Sequence, residues 1–352
     1  MISYIYDWFR RYFSDPQAIS LAMVLLFGFA IVMFMGDILA PLFAAIIIAY
    51  LLLWVVNALV HLKLPRIGAV FVTFGLFLGV ITAMIIGVMP LLWQQTTELF
   101  SELPGMVVKA KSMLMHLPEQ YPDFVSKQQL GAITDKVSTE LASFGKSVVS
   151  GWLGSIGSVV TWLVYLILVP FLVFFLLKDG KQISQWMMQF LPKRRRLAIK
   201  VWEEMDEQIG NYIRGKLIEI VVVTIGTLVV FLWLDIKYAA LLSVLVGISV
   251  LIPYVGAAVV TIPVALVAYF QWGWTEQFGW LMLAYAIVQA IDGNIVVPLL
   301  FSEAVNLHPI AIIIAVLVFG GFWGVWGVFF AIPLATLIKA VINSWPSYAA
   351  TE

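Results

Sequence analysis

Asp292 is the residue whose type and setting point most directly to chemistry. It stands in Ala290-Ile291-Asp292-Gly293-Asn294, near the end of a stretch otherwise built of apolar residues. Tyr285, Gln289 and Asp292 follow one another at i, i+4 and i+7, so an α-helix places them on one face. A charged side chain at membrane depth costs about 2.5–3.5 kcal/mol on insertion scales and is a functional candidate by default. Such a stripe can bind a proton, a cation or a polar solute, or it can hydrogen-bond a neighbouring helix. Glu219 is the second candidate. It follows Tyr212-Ile213-Arg214-Gly215-Lys216 at the start of another apolar stretch. Arg214 lies five residues before it and Lys216 three, so Lys216 can pair with it along a helix. Glu219 is either half of an interfacial ion pair or a group facing Asp292 or a proton path. Asn211 and Thr224 are softer candidates nearby. Asn294, Asn306 and His308 border the last apolar stretches, where they can line an entrance or cap the next segment. Asp37, beside Pro41, reads as solvated at a hairpin turn.

Other chemistries find no support. The chain has no cysteine, hence no disulfide and no thiolate nucleophile or ligand. His61, His116 and His308 are scattered, and no HExxH or Gly-x-Ser-x-Gly occurs. Gly145-Lys146-Ser147 resembles the end of a phosphate loop, but Glu140 stands where the first glycine is required. The expectation is therefore a protein that is not an enzyme, without cofactor or metal and without an ATP engine of its own.

The elements that position these residues follow from composition. Of 352 residues, 62% are hydrophobic and 11% charged, with mean hydropathy +1.02 and zero net charge. Soluble domains carry about 25% charged residues, so the phospholipid bilayer is the expected solvent and partner, with no nucleic acid. Apolar runs occupy 21–35, 39–59, 68–92, 152–177, 217–234, 239–270, 278–298 and 308–342. They are apolar on every face, so helices must span and a β-barrel is excluded. The fold class is all-α, a polytopic integral membrane protein of about eight spans. Arg10-Arg11 precedes the first run, but Asp7, Asp15 and the absence of a cleavage site make it a retained span rather than a signal peptide.

Two runs are too long for one tilted helix of at most about 25 residues. Run 239–270 contains Pro253-Tyr254-Val255-Gly256 and Pro263, and run 308–342 contains Gly320-Gly321, Gly324, Gly327 and Pro333. Each is a kinked helix, a broken helix or a re-entrant hairpin. Irregular backbone at membrane depth needs protein or water around it, which makes Pro253, Tyr254 and Gly256 path candidates. A packing kink without a transport role is the competing reading.

The hydrophilic parts divide the chain into spans 1–3 (1–92), an extracytoplasmic helical insert (93–147), span 4 (148–180), a cytoplasmic amphipathic module (181–216) and a C-terminal transport core (217–345). Pro104-Gly105, Pro118 and Pro122 break the insert into short helices. In the module, Leu197, Val201, Met205, Ile209, Ile213 and Leu217 recur every four residues and mark one helix face. Fourteen Lys and Arg fall on the side of the termini and the module. Six fall opposite, five of them in the long insert. Both termini are therefore expected in the cytoplasm. Gly75/Gly79, Gly151/Ser155, Gly154/Ser158 and Gly320/Gly324 are small-xxx-small pairs that let helices approach, as in a homo-oligomer of unspecified order.

A set of local motifs resembles one family. They are Pro170-Phe171-Leu172-Val173-Phe174-Phe175-Leu176-Leu177-Lys178-Asp179-Gly180, Tyr212-Ile213-Arg214-Gly215-Lys216, Ile252-Pro253-Tyr254-Val255-Gly256, Asp292-Gly293-Asn294, Val297-Pro298, Leu307-His308-Pro309, Gly320-Gly321-Phe322-Trp323-Gly324, Gly327 and Ala331-Ile332-Pro333-Leu334. Their order and spacing over about 152–341 resemble the autoinducer-2 exporter-like family of PerM-type permeases. That resemblance implies a multi-pass bacterial inner-membrane protein. It also implies efflux of a small polar signal, autoinducer-2, in some members and cation/proton antiport in others. The function expected is a secondary transporter exporting a small polar solute, with H+ or Na+ as a coupled partner. The alternatives are a Na+/H+ antiporter and a non-transporting envelope scaffold.

Overall fold

The computed structural model describes residues 16–115, 156–189, 196–253, 255–301 and 307–344, with isolated helical positions at 136, 139, 140 and 143. Among the described residues every regular element is helical. In chain order these are α1 (Pro16–His61), α2 (Arg66–Ala83), a π-helical turn (Met84–Val88), α3 (Met89–Met115), α4 (Ile156–Met188), α5 (Arg196–Trp233), α6 (Ala239–Ser249), α7 (Val255–Trp272), α8 (Glu276–Ile291), a second π-turn (Asp292–Val296), α9 (Val297–Phe301) and α10 (Pro309–Ser344). Among the described residues, eight segments are long and apolar enough to cross a membrane. Large apolar side chains such as Phe34, Trp233 and Leu299 stand exposed on their outer faces, as lipid-facing residues do. This is a multi-pass membrane protein.

Several helices outrun their sequence boundaries. The hairpin turn expected at Asp37 and Pro41 is absent, because α1 continues through both. At 1.5 Å per residue α1 is about 69 Å long, more than twice the hydrocarbon thickness of about 30 Å. The break expected at Pro104-Gly105 is also absent. Helix α3 passes through it to Met115 and follows coaxially from α2 through the first π-turn. A proline removes one N–H and one i→i−4 bond, which a helix held by other contacts tolerates. Here Gln95 accepts from the backbone N–H of Leu241 at 2.8 Å, Glu102 pairs with Lys237 at 3.2 Å, and Leu99 packs on the C-terminal core. Pro118 and Pro122 lie outside the described residues. The boundaries expected at 92/93, 180/181 and 216/217 fall inside α3, α4 and α5 respectively.

The two largest clusters of buried residues lie one in each half of the chain. Ala45, Ala49 and Val56 of α1 pack on Ala69, Val70 and Phe77 of α2 and on Val169, Val173 and Leu177 of α4. In the C-terminal half, Val223 and Phe231 of α5 join Leu242 and Val246 of α6, Val260, Val264 and Val267 of α7, and Leu281 and Tyr285 of α8. The halves meet where Tyr50 of α1 donates to the Asp206 carbonyl at 3.0 Å, its ring lying against Gly210.

Both long apolar runs fold back on themselves. Run 239–270 breaks after Ser249 into α6, only about 16 Å long, and α7 packed beside it. A Cβ at Gly256 would overlap the Ser249 carbonyl oxygen, so glycine closes this first hairpin. Run 308–342 turns at Gly324, whose φ of 57° and ψ of −132° lie outside the helical region. A Cβ at Gly327 would overlap the Phe319 carbonyl, a contact that eight residues of straight helix would separate by about 12 Å. The arms 309–323 and 325–344 therefore form a second hairpin. Gly320, whose added Cβ would lie 2.8 Å from Val328, serves that hairpin's closure. Gly75 and Gly79 face open space within the chain, so the close approach expected of them is not made here. Gly151, Gly154 and Ser155 lie outside the described residues.

Candidate functional site

The site grows from one face of α5. Tyr212, Lys216, Glu219, Val223 and Thr227 are all buried, spaced four, three, four and four residues apart, as one side of a 3.6-residue helix requires. The every-four stripe read from the sequence holds for Val201, Met205 and Ile213, which are buried. By Leu217 it has rotated into the open. Each step of four overshoots a turn by about 40°, so the inward position passes from Leu217 to Lys216. The sequence marks Lys216 as a partner for Glu219, while the every-four stripe does not mark it as an inward-facing position. A strict 3.6-residue projection of α5 would have found it.

Lys216 is 5% exposed and Glu219 2%. Lys216 Nζ donates to Glu219 Oε2 at 2.7 Å, which is the i, i+3 pair anticipated. It donates also to the carbonyl of Val250 at 2.7 Å. Val250 is the C-cap of α6 and opens the turn of the first hairpin. The last carbonyls of a helix lack intrahelical donors and carry partial negative charge, so an ammonium group satisfies them on both counts. Nζ also sits 5.3 Å from the centroid of the Phe301 ring on α9. Phe301 approaches closely because Gly215 opposes it, where a Cβ would lie 2.8 Å from the ring.

The second hairpin reaches the same place. Tyr212 Oη donates to the Phe329 carbonyl at 3.2 Å. That oxygen is available because its ordinary partner would be the backbone N–H of residue 333, and Pro333 has none. A proline in one helix thus creates the acceptor for a tyrosine in another.

Asp292 opens the second π-turn, is 9% exposed, and feels the charge of Lys216, while Glu219 feels that of Asp292. Its Oδ1 is buried with no hydrogen-bond partner among the described residues. π-Turns inside α-helices gather at functional sites. The stripe read from the sequence is present. Gln289 donates to Tyr285 Oη at 2.7 Å, and Thr261 of α7 donates to the same oxygen at 3.2 Å. A polar line therefore runs from Asp292 along α8 into the core.

Not every candidate joins this cluster. Arg214 turns away to Gly210 O at 3.1 Å and Asn211 Oδ1 at 2.8 Å. Asn294 is exposed and donates to Ala290 O at 2.8 Å. His308 Nδ1 accepts from the N–H of Ile310 at 3.3 Å and so caps α10. Pro253 and Gly256 shape the first hairpin's turn. Tyr254 and Asn306 lie outside the described residues. No group of three or more His, Asp or Glu suited to a metal ion occurs among the described residues.

The arrangement is two carboxylates and one ammonium, buried where two hairpins meet a long helix. The sequence pattern of the family described as AI-2E family transporter matches residues 3–347. The chain belongs to this family of transporters. The AI-2E relatives include PerM of Escherichia coli (strain K12), provisionally called a permease, which is 48% identical over 346 residues and 98% of each chain. YueF of Bacillus subtilis (strain 168), provisionally called a transport protein, is 27% identical over 310 residues, 86% of this chain and 83% of its own. Within the AI-2E family these names indicate transport and leave the solute unassigned.

Proposed function

We propose that this protein is a secondary transporter that exports a small polar solute across the bacterial inner membrane, with both termini in the cytoplasm. Proton binding at the acid pair of Asp292 and Glu219 is the coupling step. One observation carries this reading. Asp292 is a buried carboxylate whose Oδ1 has no hydrogen-bond partner, beside a Lys216–Glu219 pair that is already neutral. The three groups ionised together carry one surplus negative charge in a low-dielectric setting. An ion or proton that arrives there is bound strongly, and its departure is costly. The first hairpin's turn at Val250 puts irregular backbone on Lys216, in the manner of the broken helices of other secondary transporters. Gln289 and Tyr285 extend the polar line for solute hydroxyls. Autoinducer-2 is the first solute to test, because the family description names it.

A second reading, Na+/H+ antiport, is favoured by the same surplus charge. The test uses purified protein in liposomes loaded with a pH-sensitive dye under an imposed proton gradient. Autoinducer-2 and Na+ are added separately, with Asp292→Asn as control. A proton signal that depends on autoinducer-2 and is lost in Asp292→Asn is the expected result. A signal with Na+ alone selects antiport. Unchanged flux in Asp292→Asn overturns the assignment of Asp292. No signal with either addition favours the scaffold reading, and α3 and its insert then become the place to seek a partner.

A further inference from the structure

We propose that Lys216 is a two-position positioning residue. Its ammonium ties the first hairpin's turn to α5 while Glu219 is charged, and swings to Asp292 when Glu219 is neutral, releasing the turn. The inference rests on the reading of this cluster as the coupling centre. It adds how charge at the centre reaches the hairpin.

The contacts fix the first position, and Asp292, on the second π-turn packed against α5, offers the second. In this structure the ammonium is fully engaged. Glu219 and the Val250 carbonyl each receive a bond of 2.7 Å, and the Phe301 ring covers the remaining side. A second carboxylate within reach of its charge, Asp292, is left with a bare buried oxygen. A lysine has four rotatable bonds and no fixed donor plane, so it can exchange partners at small cost. Its present pose is shared between Glu219 and the Val250 carbonyl, which it bonds at once. With Glu219 neutral, Asp292 is the remaining full charge. An ammonium that follows it loses the Val250 carbonyl. That carbonyl is the bond between Lys216 and the turn, and α6 beyond it is short. Among the described residues, the charged and titratable groups around Lys216 are Glu219 and Tyr212 on α5 and Asp292 on the second π-turn. The turn and α9 contribute a carbonyl and a phenyl ring. The cluster therefore has two acids competing for one cation, and only one of them holds the turn.

The chain lacks cysteine, so introduced cysteines take spin labels specifically. Labels at Val255, at the start of α7, and at Ile218, on the outer face of α5, report the hairpin's position at fixed pH and without any flux measurement. Both side chains are exposed. Glu219→Gln should shift the mean inter-label distance by about 2 Å or broaden its distribution, the scale of packed-helix displacements. Lys216→Met should give a loosened distribution on which Glu219→Gln has no further effect. Lys216→Arg should keep the parent distance. The inference is overturned if Glu219→Gln leaves the distance unchanged, or if its effect persists in the Lys216→Met background. Loss of proton-coupled flux in Asp292→Asn tests the coupling centre separately, so failure of one is distinguishable from failure of the other. Should Lys216→Met not yield folded protein, the Lys216→Met/Glu219→Gln double variant, which removes one charge of each sign, carries the comparison.

Discussion

Replacing Lys216 with Met should destabilise the protein by about 3–5 kcal/mol, the usual consequence of breaking a buried ion pair from one side. At 2.7 Å and an effective dielectric constant of about 20, the attraction between Lys216 and Glu219 is about 6 kcal/mol before desolvation. Screening does little to reduce it, since the two side chains are 6% and 3% exposed. The substitution leaves Glu219 and Asp292 buried without a cation and the Val250 carbonyl without its ammonium donor. The second loss adds about 1 kcal/mol. Replacing both partners, Lys216→Met with Glu219→Leu, removes the uncompensated charge together with its counter-charge. Such paired replacements by apolar residues are often neutral. The double variant should therefore recover more than half of the loss, a coupling of at least about 2 kcal/mol. Equilibrium unfolding in mild detergent, followed by tryptophan fluorescence, measures all four corners of the cycle. If the double variant loses the sum of the two single losses, the pair does not act as a unit and the reasoning fails.

Three further outcomes follow from other parts of the molecule. Gly327→Ala should sharply lower the yield of folded protein, because the new methyl would overlap the Phe319 carbonyl, whereas Gly321→Ala, which meets nothing within 4 Å, should be silent; size-exclusion profiles of the two separate a closed hairpin from a simple kink. Gln95→Ala should cost about 1 kcal/mol by leaving the N–H of Leu241 in the first turn of α6 without its cap, and hydrogen exchange at the start of α6 reads it directly. Tyr212→Phe should cost about 1 kcal/mol and loosen the second hairpin, since the Phe329 carbonyl has no backbone donor at Pro333 to fall back on; protection of the residues after Gly324 is the observable.

The sequence by itself determined the solvent, the helical class and the places where helices could not continue. Runs of Leu, Ile, Val and Phe longer than a bilayer is thick leave no other fold, and Pro253 and the Gly320–Gly327 group mark interruption by their own backbone limits. It also determined the Tyr285, Gln289, Asp292 face and the Lys216–Glu219 pair, because i+3, i+4 and i+7 neighbours depend only on helix geometry. Family membership was legible too, from the order of short motifs. Only the tertiary structure decided that the interruptions are hairpins, that α1 runs through Asp37 and α3 through Pro104, and that Arg214 points away while Lys216 turns inward. Whether a helix survives a proline or an aspartate depends on what packs against it, and those partners lie far off in sequence. Lys216 meets Val250 34 residues later, Gln95 meets Leu241 146 residues later, and Tyr212 meets Phe329 117 residues later. A periodic pattern assigns a face to a helix. The partner on that face, and with it the surplus charge at Asp292, exists only once the chain has folded.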